Sequence, residues 1–523
     1  NITYIHSNKE LLFSNINLNI QSQSKVALIG NNGVGKSTML KIMSGMLQPQ
    51  EGRMSVRHKP YYIPQLTSSC DGQTIAEVLF MADKLKAITE IGAGEVSETN
   101  MALLEDDWTI VERCQAAFSS WQLEGLDLGR KMDTLSGGQK IKVFLAGVFI
   151  HNPRIILMDE PSNHLDEQGR GRLYDFIQSS TATLVVVSHD RALLNMLDTV
   201  YELHKEGIMT YGGNYDFYVA QKHVESEALH QDIQVKEKAL RKAKEVEKKT
   251  MERQQRLDSR GKKKQEKAGL PTISMKTFKN NAEKSTARAK DVHTEKIAHL
   301  AQDLAVLRKE RSQLEVMKFV FNDSSLHKGK ILITATDVNL KHGSSMLWSD
   351  GLNIKIVGGD RVAVKGLNGS GKTTLIRLLI GHIQPEVGIV HRSLNHILYI
   401  DQDYSLLEDE YSVYEQAQRY NATGLHEHEI KIRLHRFLFS KLHWDKPCAV
   451  LSGGEKMRLL LCCLSISSTT PQLIVMDEPT NNLDLQNIKI LTNAIKDYDG
   501  TLLMISHDTH FLEQIGVTYT IDL

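Results

Sequence analysis

Two nine-residue stretches of one pattern constrain this chain more than anything else in it. Residues 30–38 read GNNGVGKST and residues 366–374 read GLNGSGKTT, and both fit G-x-x-x-x-G-K-[ST]. Each follows an apolar, β-branched run (Val26-Ala27-Leu28-Ile29; Val362-Ala363-Val364) and precedes a helical pattern. A strand turning through glycines into a helix aims successive backbone N–H groups, and the positive helix end, at phosphates. By this reading Gly30, Asn31, Asn32, Gly33, Val34 and Gly35 form a first cradle, with Lys36 reaching the β- and γ-phosphates, Ser37 ligating Mg²⁺ and Thr38 beside it. Gly366, Leu367, Asn368, Gly369, Ser370 and Gly371 repeat the cradle, followed by Lys372, Thr373 and Thr374. A chain carrying such a unit twice is expected to fold as a duplicated α/β protein.

The residues downstream of each loop are duplicated too. Residues 154–160 read RIILMDE, an apolar strand ending in two carboxylates. Asp159 suits a metal shell, and Glu160 is placed to orient or deprotonate an attacking water. A second apolar run, Thr183 to Val187, leads into Ser188-His189-Asp190. Between the first phosphate loop and the run 154–160, Leu135-Ser136-Gly137-Gly138-Gln139 opens a helix expected over about residues 140–150. Serine and glycines at a helix start make an anion site. The phosphate loop of the same copy already holds a nucleotide, so Ser136, Gly137, Gly138 and Gln139 are expected to face a nucleotide held by the other copy.

The second copy repeats the set with Ser452, Gly453, Gly454 and Glu455, then Asp477 and Glu478, then His507. Glutamate and histidine stand 29 positions apart in both copies, and neither glutamate is replaced, so nothing in the motifs marks either site as inactive. From Gln65 to Ser136 is 71 positions, whereas from Gln402 to Ser452 is 50. An insertion of about 21 residues is therefore expected within Asp83 to Arg113, acidic and helical in pattern. It reads either as an extra subdomain for a partner or as a solvated surface loop.

The LSGGQ run resembles the signature of ATP-binding cassette ATPases, in which the signature of one cassette closes over ATP held by the other. The resemblance implies that Gln65 and Gln402 sense Mg²⁺ and the γ-phosphate, and that His189 and His507 are switch histidines. It makes SNHLD (Ser162 to Asp166) and NNLD (Asn481 to Asp484) the loops after the catalytic glutamates. An aromatic near His6 and His342 stacks on adenine in the family, so these histidines are the candidates here. Two cassettes in one chain imply a monomer with two head-to-tail ATPase sites using ATP and Mg²⁺. Site one would join Lys36, Ser37, Asp159 and Glu160 to Ser452 and Gly454; site two would join Lys372, Thr373, Asp477 and Glu478 to Ser136 and Gly138.

Between the copies the composition changes. The segment opens with YGGNYDFYVAQK (Tyr211 to Lys222), breaks at Gly269-Leu270-Pro271 and resumes as an apolar-periodic stretch from about Ala289 to Met317. Leu229, Ile233, Leu240 and Ala243, and then Ile297, Leu300, Leu304, Leu307 and Leu314, fall at helical spacing. Two long helices packed antiparallel along these stripes are expected, a coiled-coil rod of about 60 Å if each arm has roughly 45 residues. Net charge is zero over the chain, yet residues 221–318 carry 25 Lys+Arg against 15 Asp+Glu. Arg253, Arg256, Arg260, Lys262, Lys263, Lys264 and Lys267 crowd near the break. Such density suits salt-sensitive phosphate contacts that position rather than read sequence, with shape recognition of RNA the better match.

Tandem cassettes, no run of 18 or more apolar residues, and a basic linker opened by Y-x-G-N-Y-x-x-Y-x-x-x-K together resemble the ABC-F family. The resemblance covers essentially the whole chain and implies cassettes at about 1–210 and 331–523 around a linker at 211–330. It implies a cytoplasmic protein that binds ribosomal and transfer RNA near the exit tRNA site of the bacterial ribosome. The linker would point toward the peptidyl-transferase centre. Some members are housekeeping translation factors and others protect ribosomes from antibiotics. The length of the linker, with Met275 and Phe278 in a tip at about 262–285, favours protection. No secretory signal and no extension after the second cassette are expected. A membrane-transporter ATPase would leave the basic rod without a task, and a pure scaffold would not need two intact catalytic sets. A DNA-repair ATPase remains as an alternative, without a zinc module, because the five cysteines have no metal spacing and read as reduced thiols.

Overall fold

The computed structural model describes residues 1–6, 11–65, 70, 72–268, 294–308, 329–343, 345–394, 396–422, 424–467, 470–481 and 483–523. Met275 and Phe278 lie outside the described residues, as do the side chains of Lys262, Lys263, Lys264, Lys267 and His342. The fold is a mixed α/β P-loop ATPase fold present twice, with a long helical segment between the copies. Two compact units result: residues 1–216 with 317–523, and residues 217–316.

In the first copy six strands form one sheet in the order Tyr61–Ile63, Ile155–Asp159, Thr183–Val187, Lys25–Ile29, Thr199–His204, Gly207–Tyr211, all parallel except the last. The central strands are short unbroken apolar runs because helices cover both faces of a parallel sheet. Leu157, Met158, Leu184 and Val186 are accordingly buried. The second copy repeats the order with Ile397–Ile400, Leu473–Asp477, Thr501–Ile505, Arg361–Lys365 and Tyr519–Asp522, all parallel. In both sheets one strand separates the strand before the phosphate loop from the strand that ends in Asp-Glu. Register pairs Asp159 with Val187 and Asp477 with Ile505. All the chemistry-bearing loops thus leave the C-terminal edge of a sheet, where open α/β sheets bind ligands.

Cys114, Cys448, Cys462 and Cys463 are buried free thiols. Burial pushes the Cys114 and Cys448 thiols up to about 11, which keeps them protonated and unreactive. No helix among the described residues is long and apolar enough to cross a membrane.

The inserted residues of the first copy form two helices, Ala82–Gly92 and Glu98–Leu104. Ser97 caps the second by accepting the Asn100 N–H. Arg113 belongs instead to the helix Ile110–Ser120, whose counterpart Glu427–Arg436 packs on the signature helix of the other copy as this one does on its own. The extra pair is therefore shorter than the span 83–113 suggests. It is tied to the common helix by Asp107, which pairs with Lys84 at 3.5 Å and with Arg113 at 2.8 Å.

The linker begins with one helix of 54 residues, Tyr215–Ala268, about 80 Å long at 1.5 Å per residue. It exceeds the length expected from sequence because it already starts inside the Y-x-G-N-Y motif, where Asn195 Oδ1 accepts the N–H of Asp216 at 2.9 Å. Ser226, Leu229, Ile233, Lys236, Leu240, Ala243, Glu247 and Thr250 form a half-buried to buried line with alternating steps of four and three. That 3.5-residue period is the signature of a helix pair. Residues 294–308 are helical and supply the matching line Ile297, Leu300, Leu304 and Leu307. Ile233 and Leu304 are the most buried of these. Beside them Lys236 bonds Asp303, and Arg308 bonds Glu237 at 2.6 Å. Exposed ion pairs contribute less than about 1 kcal/mol each, so the apolar seam holds the pair. Ile233→Asp should cost about 2 kcal/mol or more of local stability. We expect faster hydrogen exchange over residues 226–243 and 297–307 with the cassette sheets unchanged; uniform exchange across the chain would contradict this assignment.

Candidate functional site

Each phosphate loop enters its helix through a glycine with left-handed backbone, Gly35 at φ 105° and Gly371 at φ 92°. A Cβ on Gly35 would also lie 2.8 Å from Leu12 and Phe13 side-chain atoms, so only glycine fits there. The helices Lys36–Met43 and Lys372–Ile380 have no side-chain cap at their N-termini, which leaves backbone donors facing the loop. Lys36 Nζ donates to the Gly30 carbonyl at 2.7 Å, and Lys372 Nζ to the Gly366 and Leu367 carbonyls at 2.8 and 2.9 Å. Burial lowers both ammonium pKa values, opposed by the carboxylates of Glu160, Asp484 and Asp159 at the first lysine and of Glu478, Asp166 and Asp477 at the second.

The hydroxyls after the lysines meet the strand-end aspartates. Thr373 Oγ1 donates to Asp477 Oδ2 at 2.8 Å, and Ser37 hydrogen-bonds Asp159. A tyrosine from the neighbouring strand reaches the same carboxylate in each copy: Tyr62 to Asp159 at 3.4 Å and Tyr399 to Asp477 at 3.5 Å. Neither tyrosine stands out in the sequence, although the shared Y-I-x-Q before Gln65 and Gln402 carries the signal. Gln65 is half-buried and Gln402 exposed, each two residues beyond its strand.

Glu160 and Glu478 sit one residue past their strands with φ 53° and 49°. A left-handed conformation costs a non-glycine residue roughly 1–2 kcal/mol. It is held by the Glu160 N–H donating to Val187 at 2.8 Å and the Glu478 N–H to Ile505 at 3.0 Å. Burial, before any charge, pushes the Glu160 carboxyl up to about 8 and Glu478 up to about 7. It pushes His189 well below the usual imidazole range, and His507 to about 4. His189 Nε2 lies 3.2 Å from Glu160 Oε1 and His507 Nε2 3.3 Å from Glu478 Oε1. With both imidazoles held neutral these are contacts of uncharged rings, not ion pairs.

Among the described residues, the buried side-chain polar atoms without a hydrogen-bond partner are Asp159 Oδ1, Glu160 Oε1, His189 Nδ1, Ser370 Oγ and His507 Nε2, together with two elsewhere, Trp121 Nε1 and Arg458 Nε. Unpaired buried polar atoms are costly, and their concentration at the two loops fits sites built for a polar ligand. The donor set of one hydroxyl and one carboxylate beside a phosphate cradle fits Mg²⁺, which keeps oxygen ligands and several waters.

Ser136 and Ser452 begin the signature helices Gly137–His151 and Gly453–Ile466, each in a capping box with Gln139 or Glu455. The two copies touch through these motifs. Asn368 Nδ2 of the second phosphate loop donates to the His164 carbonyl at 2.9 Å. A Cβ on Gly138 would come within 3.2 Å of that same Asn368 nitrogen, so the first signature helix abuts the second phosphate loop. In the other direction the Asn32 N–H donates to Asp484 Oδ2 at 3.2 Å. The Ser452 hydroxyl bonds Glu455, and its carbonyl accepts the Lys456 N–H at 2.8 Å. His6 is exposed and lies edge-on to the Tyr4 ring at 5.8 Å. On the linker Arg253, Arg256 and Arg260 are exposed and share one helix face by their spacing.

A family model described as ABC transporter matches residues 13–163 and 349–481, more than half of the chain. The chain belongs to the ABC transporter family. Relatives include ABC transporter ATP-binding protein YfmM of Bacillus subtilis (strain 168), 29% identical over 97% of this chain and 94% of its own length. The ATP-binding protein Uup of Escherichia coli (strain K12) is 29% identical over 96% of this chain and 76% of its own length. ABC transporter F family member 5 of Arabidopsis thaliana is 27% identical over 95% of this chain and 70% of its own length. These names fit the F branch of the family. Among solved structures, that of archaeal ribosome recycling factor aABCE1 in complex with ribosomal stalk protein aP1 has the same fold, with a TM-score of 0.60 at 18% identity over 98% of this chain and 86% of that one. ABC ATPase domains of this kind bind and hydrolyse ATP. Gly35→Ala should abolish nucleotide binding at the first loop while the second still binds, measured with a fluorescent ATP analogue; two intact sites would refute the role of that glycine.

Proposed function

We propose that this ABC protein is an ATP-driven switch of the F branch that acts on the bacterial ribosome in the cytoplasm. In this reading it binds near the exit tRNA site, directs its linker toward the peptidyl-transferase region and protects that region from ribosome-targeting antibiotics. The observation that carries the reading is the 54-residue helix with its exposed basic face, set between two cassettes that lack any described membrane-spanning helix. A relative named as an F family member and fold neighbours described as ribosome-recycling and ribosome-bound support the same partner. A transporter ATPase has no use for such a rod.

Two composite sites would drive the switch. Lys36 and the backbone of Gly33 to Lys36 would bind the phosphates of one ATP, with Asp484 approaching from the other cassette; Lys372 would do so for the second, with Gly138 and Asn368 closing the seam. His6 and His342 are the candidates for stacking on adenine. Ser37 with Asp159, and Thr373 with Asp477, would hold Mg²⁺, joined by Gln65 and Gln402; the ion would neutralise charge on the phosphates. Glu160 and Glu478, at the ends of their strands and raised by burial toward neutrality, suit the acceptance of a proton from the attacking water. His189 and His507, held neutral against them, would keep that water oriented. Signature helix starts at Ser136 and Ser452 would offer backbone donors to the γ-phosphate from across the seam. ATP would thus favour the closed pair of cassettes and hydrolysis would release it.

In the doubly substituted Glu160→Gln, Glu478→Gln protein, we expect ATP binding to persist and turnover to fall at least a hundredfold. It should then co-sediment with bacterial ribosomes only when ATP is present, and lose this when Lys36 and Lys372 are also replaced by Ala. Sedimentation apart from ribosomes combined with retention on DNA would replace the ribosome reading with DNA repair. Translation in a cell extract with peptidyl-transferase drugs should recover on addition of the parent protein; unchanged inhibition would leave a housekeeping translation factor instead. Replacing Arg253, Arg256 and Arg260 by Ala should flatten the salt dependence of ribosome binding by up to about three counterions, and an unaltered slope would remove these side chains from phosphate contact.

A further inference from the structure

Arg170 and Ile488 occupy the same place in the two cassettes. Each lies ten positions after its glutamate, in the first turn of the helix capped by Asp166 or Asp484. Both side chains line one cavity of about 60 Å³ between the cassettes, together with His189, Asp190, His507 and Asp508. Its two halves are not chemically equal. Arg170 Nη1 donates to the His507 carbonyl of the other cassette at 3.3 Å, while its Nε holds the Leu165 carbonyl of its own loop at 3.2 Å. The same guanidinium is the first charge acting on Glu478, ahead of Asp477 and Lys372, and favours its carboxylate. Ile488 is buried and offers the site of Glu160 neither a donor nor a charge.

The loops carrying the histidines are consequently tied in different ways. In the first cassette Tyr174 donates to Asp190 at 2.5 Å, a bond within that cassette. Its counterpart in the second, Thr492, spends its hydroxyl on the Ile488 carbonyl of its own helix at 2.7 Å. The loop of His507 thus has a tie from across the seam, to Arg170, beside its backbone bond to Glu478, whereas the described ties of the His189 loop, to Tyr174 and Glu160, lie within its own cassette.

We propose that Arg170 is a positioning residue supplied in trans to the Glu478 site, with no equivalent among the described residues at the Glu160 site, so that hydrolysis at Glu478 senses closure of the seam through the His507 loop, a contact that the His189 loop does not have. The inference rests on the two-site ATPase reading above. A charge-assisted hydrogen bond between partly buried groups contributes enough to change a rate about tenfold. Because the guanidinium touches a loop carbonyl, its loss should fall on kcat rather than on ATP affinity.

The test isolates each site by single-turnover hydrolysis, using Glu160→Gln to leave the Glu478 site and Glu478→Gln to leave the Glu160 site. Arg170→Ile, which copies the natural residue of the other half, should lower the ratio of Glu478-site to Glu160-site rate about tenfold, with the KM for ATP within twofold. Arg170→Lys should recover at least a third of the loss, and an unchanged melting temperature confirms that each variant is folded. Equal loss at both sites, a change confined to KM, or no recovery with lysine would overturn the proposal while leaving two-site hydrolysis standing. Absence of turnover in Glu160→Gln with Arg170 intact would overturn the two-site reading itself, before any change at Arg170.

Discussion

A carboxylate pair placed at the C-terminal end of a buried parallel strand is the constraint on which the rest of each cassette depends. The strand must be apolar throughout to sit between two helical layers, and the first residue free of that demand is the aspartate. The next residue turns into left-handed backbone at Glu160 and Glu478, which lifts the glutamate away from the sheet and over the phosphate loop two strands along. Sheet order then does the remaining work. The central strand Thr183–Val187, or Thr501–Ile505, fixes the spacing between loop and carboxylates and accepts the glutamate N–H that stabilises the turn. Burial at this point raises the glutamates and lowers the histidines together, while the carboxylates around each lysine oppose the lowering that burial imposes on its ammonium.

The seam between the cassettes follows the same economy of parts. Asp166 and Asp484 cap the helices that come after the glutamate turns by accepting Gly169 and Asn487 N–H groups, and Asp484 uses its second oxygen for Asn32 of the other copy. One short side chain thereby ends a loop, starts a helix and contacts the opposing phosphate cradle. Glycine at 138 allows the backbone of the signature helix to come against His164 and Asn368, which no side chain at that position would permit without displacement.

Much of this was legible because its determinants are local. Glycine, lysine, paired carboxylates and a following histidine recur in one order, and the apolar runs before them are short and unbroken, so the placement of candidate residues on loops at strand ends could be read directly. The features that escaped depended on partners distant in sequence. Tyr62 and Tyr399 reach the aspartates because their strands lie beside the aspartate strands, a fact of sheet order. The left-handed turns at Glu160 and Glu478 follow from register against the next strand, and no residue preference announces them. The early start of the linker helix was hidden by glycines at 212 and 213, which look like a turn yet precede a helix anchored by Asn195. Arg170 carries no motif of its own, because its partner, the His507 carbonyl, lies in the other cassette.

The seam of the linker changes character along its length. Leu229, Ile233 and Leu240 give way to Ala243, then Glu247 and Thr250, so the large apolar side chains of the seam fall within the first half of the 54-residue helix. Among the described residues of the neighbouring helix, 294–308 carry the matching apolar line. The amino-acid gradient along one heptad line thereby grades how firmly this helix can hold a neighbour, most where leucine and isoleucine stand and less where glutamate and threonine replace them.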